Sequence, residues 1–236
     1  YLGLIVGAAF ALPTTLLIQW SLSPEALATI DNRFFGFVWN SAILAAGAST
    51  GGVLIGLPLA YLACRRPTLL NLSCLQAAYA GYVLPGPVAA LAVLILFTTI
   101  APVFYGSALI LIVAYVIHFL PAGLQSLEPA LQQLSPNLEE VSRTLGLGMR
   151  DTWRRVTLPL VRNGFVVAWV LMFLQTMKEL PATLLLRPVG FDTLAIRVWM
   201  EASEEYFQLA APSALLIVLL SLPALALLVS KDWRAA

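Results

Sequence analysis

Six stretches of this chain, about residues 2 to 20, 37 to 63, 77 to 100, 103 to 120, 160 to 180 and 207 to 230, each hold enough consecutive apolar residues to cross a bilayer. A helix needs about 20 such residues to span ~30 Å of hydrocarbon, where no water satisfies backbone N–H and C=O groups. Helices satisfy those groups within one segment, so the pattern predicts an all-α integral membrane protein with six transmembrane helices. Composition agrees, with 60% of the 236 residues hydrophobic and 11% charged, against about one-quarter charged in soluble domains.

An even number of spans returns both ends of the segment to one side. Loops rich in lysine and arginine stay in the cytoplasm. With the 121–159 loop inside, Arg65, Arg66, Arg143, Arg150, Arg154, Arg155, Arg162, Lys231 and Arg234 fall on the cytoplasmic side or its interface. Arg33, Arg187 and Arg197 then lie outside, and Lys178 lies near the outer end of a span. The termini of this segment are therefore expected to be cytoplasmic. The chain opens at Tyr1 already inside a hydrophobic run, without the basic start and cleavage site of a signal peptide, so a longer parent chain is expected. A net charge of +1 argues against a nucleic-acid partner. Cys64 and Cys74 make no metal-site spacing and read as small apolar packers.

Within the spans, Gly47, Gly51, Gly52 and Gly56 form overlapping small-residue pairs that let another helix approach closely. Pro85-Gly86-Pro87 should kink or unwind the third span, because proline removes backbone donors. Trp20, Trp39 and Trp233 fall at span ends and suit an interfacial belt. His118, the single histidine, is placed at the cytoplasmic end of the fourth span and reads as a packed or interfacial residue. Lys178 and Glu179 lie about 18 residues into the fifth span, near the outer leaflet; as helix neighbours they diverge, so each needs a separate partner or water. Between spans five and six, an outer loop of about 182 to 206 should hold a helix capped by Asp192. Glu201, Glu204 and Glu205 on one face of that helix would give either a solvated surface or a carboxylate-rich outer mouth.

The segment of about 128 to 159 is a polar insert in an apolar chain. Ser135 can cap a short helix with Pro136 at its first position, Glu139 and Glu140 suit its N-terminal end, and Gly146 and Gly148 end it. Leu138, Val141 and Leu145 would line one face. Asp151 can cap a second short helix presenting Trp153 and Val156 on one side, with Arg154 and Arg155 elsewhere, until Pro159 starts the next span. Such a capped pair suits docking into a groove of a soluble partner, with an aromatic anchor and a charged rim.

Glu140-Val141-Ser142, three residues, Gly146, nine residues, Val156, one residue, Leu158-Pro159 resembles the EAA loop of binding-protein-dependent ABC importer permeases. It departs from that pattern at Val141, Ser142 and Val156 while keeping the spacing. The resemblance implies a single type I ABC importer-like permease domain over residues 1–236. It further implies a bacterial inner-membrane location and a coupling helix seated in a cytoplasmic ABC ATPase dimer. Glu140, Gly146, Val156, Leu158 and Pro159 carry the match, and Arg150, Trp153 and Arg154 are added from the local helix reading.

Met177 to Pro188 and Gly190 to Ala195 look like the corresponding stretch of ferric-iron ABC importer permeases, and Tyr79 to Pro87 looks related. This implies the second of two homologous permease halves, fused or separate, served by a periplasmic binding protein. Tyr82, Pro85, Gly86, Lys178 and Glu179 become expected path or gate residues, and Asp192, Glu201, Glu204 and Glu205 the outer mouth, with no tight metal site. The chain has no phosphate-binding loop for ATP, so ATP and Mg²⁺ are expected on the partner. Thiamine, polyamine or sulfate are alternative cargoes. An ion-coupled secondary transporter is the mechanistic rival, and an intramembrane hydrolase built on Ser41 or Ser49 with His118 lacks any nucleophile-elbow sequence.

Overall fold

A computed structural model describes the backbone of residues 2–232 and the side chains of residues 3–227. Trp233 and Arg234 lie outside the described residues. The described chain is helical throughout, without strands. It runs α1 (Leu2–Ser21), α2 (Pro24–Ala28), α3 (Asn32–Arg65), α4 (Leu69–Val83), α5 (Gly86–Ile100), a 3₁₀ turn at Pro102–Phe104, α6 (Ala108–Gln132) and α7 (Pro136–Thr144). Then follow α8 (Met149–Thr152), a π-helical turn at Trp153–Thr157, α9 (Leu158–Met177), α10 (Pro181–Leu186), α11 (Leu194–Ser203) and α12 (Phe207–Asp232). Five helices are long and apolar enough to cross a membrane, and the bent pair α4 and α5 makes six when taken as one span.

The centre is a three-helix core of α3, α6 and α9, where Leu44, Val53, Leu57, Tyr115, Leu124, Leu127, Val161 and Met172 are buried. Glycines set the spacing. Gly47 and Gly56 of α3 face Ile112, Leu120 and Leu127 of α6, and Gly52 faces the end of Met172 from α9 so closely that an added methyl would collide with it. α12 packs on α11, α9 and α1, and Trp20 stacks on Phe207 with centroids 6.2 Å apart. Trp39 is exposed, which fits a belt position.

The expected break in the third span is present and sharp. α4 and α5 meet at 117°. Leu84, which precedes a proline, is forced extended at φ −84° and ψ 131°, and Pro85 and Pro87 withhold the N–H groups that would continue α4.

The next two spans differ from expectation. α6 does not stop near residue 120 but continues to Gln132, so His118 lies in mid-helix instead of at a cytoplasmic end. Pro121 sits inside α6 and leaves Ile117 O without its usual N–H partner. That carbonyl faces Gly81 of α4 so closely that a side chain at residue 81 would collide with it, which lets a Cα–H contact stand in. The fifth span begins before Pro159, with one continuous helix from Met149 to Met177. A π turn absorbs the proline, with Leu158 N–H bonding back to Trp153 O.

Candidate functional site

The insert is built as a platform fixed to the end of α3. Ser135 caps α7 through its side chain, with Pro136 in the first turn, as its sequence suggests. At the other end Gly146 adopts φ +88°; its N–H bonds to Arg143 O at 2.9 Å, and Leu147 N–H bonds to Ser142 O at 3.1 Å. This is the paired bonding of a Schellman stop, which needs a left-handed residue and so favours glycine. Asp151 does not cap the second helix: Gly148 stands at that position, and Asp151 lies in the first turn 3.9 Å from Arg155.

Burial separates the two adjacent glutamates. Glu140 is exposed, whereas Glu139 is 6% exposed. Glu139 accepts from Tyr61 Oη at 2.9 Å, Arg65 Nε at 3.2 Å and Thr157 Oγ1 at 3.2 Å. One carboxylate thereby ties α3, α7 and the π turn together. Ser142 adds a second tie, its Oγ 2.9 Å from Thr152 Oγ1. Trp153 is not held outward as an anchor; it is half-buried against Tyr61, ring centroids 6.0 Å apart. Val156 is half-buried, and Gly146, Arg150, Arg154, Leu158 and Pro159 are exposed. The apolar surface on offer is instead Leu138, Val141, Leu145 and Met149, all exposed. Sequence reasoning missed Glu139, Tyr61 and Arg65; the signal was a tyrosine and an arginine four apart on one face at the end of a span.

A second group of expected residues converges where α4 breaks. Gly86 lies beside Glu179 and His118: a methyl added to it would be 3.4 Å from Glu179 Oε1 and 3.8 Å from His118 Nε2. Tyr82 meets the His118 ring edge-on at 6.5 Å. His118 Nδ1 is 3.0 Å from Gly81 O. Glu179 Oε1 accepts from Ala182 N–H at 3.1 Å, at the start of α10, and Thr183 donates to Glu179 O at 2.7 Å while also bonding Tyr115. Lys178 is exposed and has no ion pair among the described residues. His118 lies ten residues into α6, about 15 Å from that helix's start, so this junction lies near mid-depth of the span, with Tyr82, Leu84 and Pro85 exposed beside it.

The expected outer mouth is rearranged. Asp192 does not cap α11; Thr193 does, accepting from Ile196 N–H at 3.4 Å. Asp192 pairs with Arg187, and its carbonyl accepts from Asn40 Nδ2 at 2.9 Å. Glu201 pairs with Arg197 at 2.6 Å. Glu204 and Glu205 lie beyond the end of α11, and Glu205 has φ +65°, so the three glutamates do not share a helix face. A cavity of about 700 Å³, lined in part by Asp31, Arg33, Asn40, Asp192 and Arg197, opens at this end. Among the described residues no three metal-ligating side chains come together.

A bundle of membrane-spanning length, broken in its third span and carrying a braced polar insert between α6 and α9, belongs to a recognisable class. Residues 52–233 match the family of binding-protein-dependent transport system inner membrane components, and the chain is a member of that family. It is 32% identical over 215 residues to the Fe(3+)-transport system permease protein FbpB 2 of Haemophilus influenzae, an alignment covering 90% of this chain and 42% of the relative. It is 34% identical over 99 residues to the molybdenum transport system permease protein ModB of Azotobacter vinelandii, covering 40% of this chain and 44% of that one. The chain thus spans less than half the length of either curated relative. Its fold is similar to a chain of the MetNI methionine ABC transporter in an inward-facing conformation, with TM-score 0.66, 18% identity, and coverage of 87% of this chain and 99% of that chain.

Proposed function

We propose that this chain is one permease half of an ATP-driven importer in a bacterial inner membrane, moving ferric iron delivered by a periplasmic binding protein into the cytoplasm. The observation that carries the reading is the insert: an exposed apolar edge of Leu138, Val141, Leu145 and Met149, rimmed by Glu140, Arg143, Arg150 and Arg154, on a platform that Glu139 locks to α3 and to the π turn leading into α9. An edge of that kind suits a soluble partner's groove, and its locked base lets a push on the insert reach the spans. The partner is an ABC ATPase dimer that holds ATP and Mg²⁺, and a second permease half completes the pathway. ATP binding would shift the bundle between inward and outward states through contacts made differently in each. The insert and both termini of this segment then face the cytoplasm. Iron is supported over molybdate by an FbpB 2 alignment that runs along 90% of the chain, against 40% for ModB.

The test is reconstitution of the complex in vesicles with its ATPase and binding protein. ATP-dependent uptake of ferric iron is the expected result. Uptake that ignores ATP and follows a proton or sodium gradient would overturn the reading in favour of an ion-coupled carrier.

A further inference from the structure

At the break between α4 and α5, a carboxylate and an imidazole reach one small volume from two different segments. The space is kept open by Gly86, where an added methyl would lie 3.4 Å from Glu179 Oε1, 3.7 Å from Pro181 Cβ and 3.8 Å from His118 Nε2. The imidazole is already oriented. Its Nδ1 lies 3.0 Å from Gly81 O, which can only accept, so Nδ1 carries a proton, and in the neutral ring Nε2 is the nitrogen that holds the lone pair. Among the described residues no donor meets that lone pair. A histidine whose second nitrogen donates to a backbone carbonyl is held in the tautomer and direction that a metal ligand requires. Across the gap, Glu179 Oε1 accepts one bond, from Ala182 N–H, and a carboxylate has capacity for several more.

We propose that His118 Nε2 and the Glu179 carboxylate form a two-donor transit station for a transition-metal cation at the α4/α5 break. This rests on the permease reading and narrows its cargo. A lone pair facing a carboxylate attracts a cation and repels an oxyanion such as molybdate, and imidazole with carboxylate is a donor set that iron accepts. Two protein donors fall short of the three or four that hold a metal in resident sites, and passage requires a site weak enough to release its ion. Irregular backbone at this depth persists only where it is buried in protein or lines a wet cavity. The bend that Pro85 and Pro87 impose therefore both exposes the station and sets Gly86 at its centre.

The measurement is iron delivered per ATP hydrolysed by the complete reconstituted importer, with ferric iron supplied on its binding protein. Gly86→Ala fills the gap with one methyl at ordinary contact distance. His118→Asn keeps a donor for Gly81 O and removes Nε2. Each is expected to lower the ratio at least tenfold, whereas a general loss of folding would lower uptake and hydrolysis together. Should His118→Asn fail to assemble, Gly86→Ala carries the test. An unchanged ratio in either assembled variant overturns the station. A wild-type complex that moves no iron with ATP, or that moves molybdate instead, overturns the importer reading on which the station rests.

Discussion

Glu139 and Glu140 are neighbours with the same chemistry and opposite surroundings. Glu139 is enclosed by Tyr61, Arg65 and Thr157; Arg65 reaches it through Nε, and its buried Nη2 has no hydrogen-bond partner among the described residues. Removing one member of a buried ion pair strands the other, at a cost on the order of 3 kcal/mol. Glu139→Gln is therefore expected to lower the thermal midpoint of the detergent-solubilised protein and to speed protease cleavage of the insert. Glu140→Gln, at an exposed site, should change neither; equal effects from the two would refute the brace. Gly146 illustrates a backbone demand. Nothing lies within 4 Å of a methyl added there, so Gly146→Ala tests the φ of +88° alone and should cost about 1–2 kcal/mol, read from the same melting curves. Composition and capping rules reached Ser135 and Gly146 because those signals are local. They could not rank Glu139 above Glu140, since the difference comes from Tyr61 and Arg65, over 70 positions away.

Prolines set the character of the elements, and each is accommodated differently. Pro85 and Pro87 turn one span into two helices at 117°, Pro159 is absorbed by a π turn, and Pro121 stays within α6 with its orphaned carbonyl covered by Gly81. That covering yields a sharp comparison. In Gly81→Ala the new methyl meets the Ile117 backbone carbonyl, which cannot rotate away, so α4 must lift off α6. In Gly47→Ala the methyl meets the tip of Ile112 at 3.2 Å, and a flexible side chain can give way. Gly81→Ala is expected to cost about 1–3 kcal/mol, the usual range for overpacking, and Gly47→Ala much less, judged by thermal unfolding followed by size exclusion. Comparable losses would show that the α4–α6 contact is looser than described. The first break was legible in Pro85-Gly86-Pro87. The course of α6 through Pro121 was not, because a proline signals a missing donor and leaves open what replaces it.

For the whole molecule, the exposed edge of the insert separates assembly from folding. Val141 and Leu145 are exposed, so Val141→Arg and Leu145→Asp should leave the melting curve of the isolated chain unchanged. Binding to the ATPase should weaken at least tenfold, about 1.4 kcal/mol, in a pull-down or titration of the purified subunits. Full-strength binding by both variants would remove this edge from the interface. Apolar run length by itself determined that the chain spans a membrane as helices, because hydrocarbon tolerates no unpaired backbone. The spacing of capping residues likewise determined that a polar insert separates α6 from α9. Which carboxylate braces the insert, how Glu201 and Asp192 are spent on ion pairs, and which nitrogen of His118 faces Glu179 were decided only by tertiary structure. Each depends on distances between residues remote in sequence, and pairing rules along one helix carry no information about those.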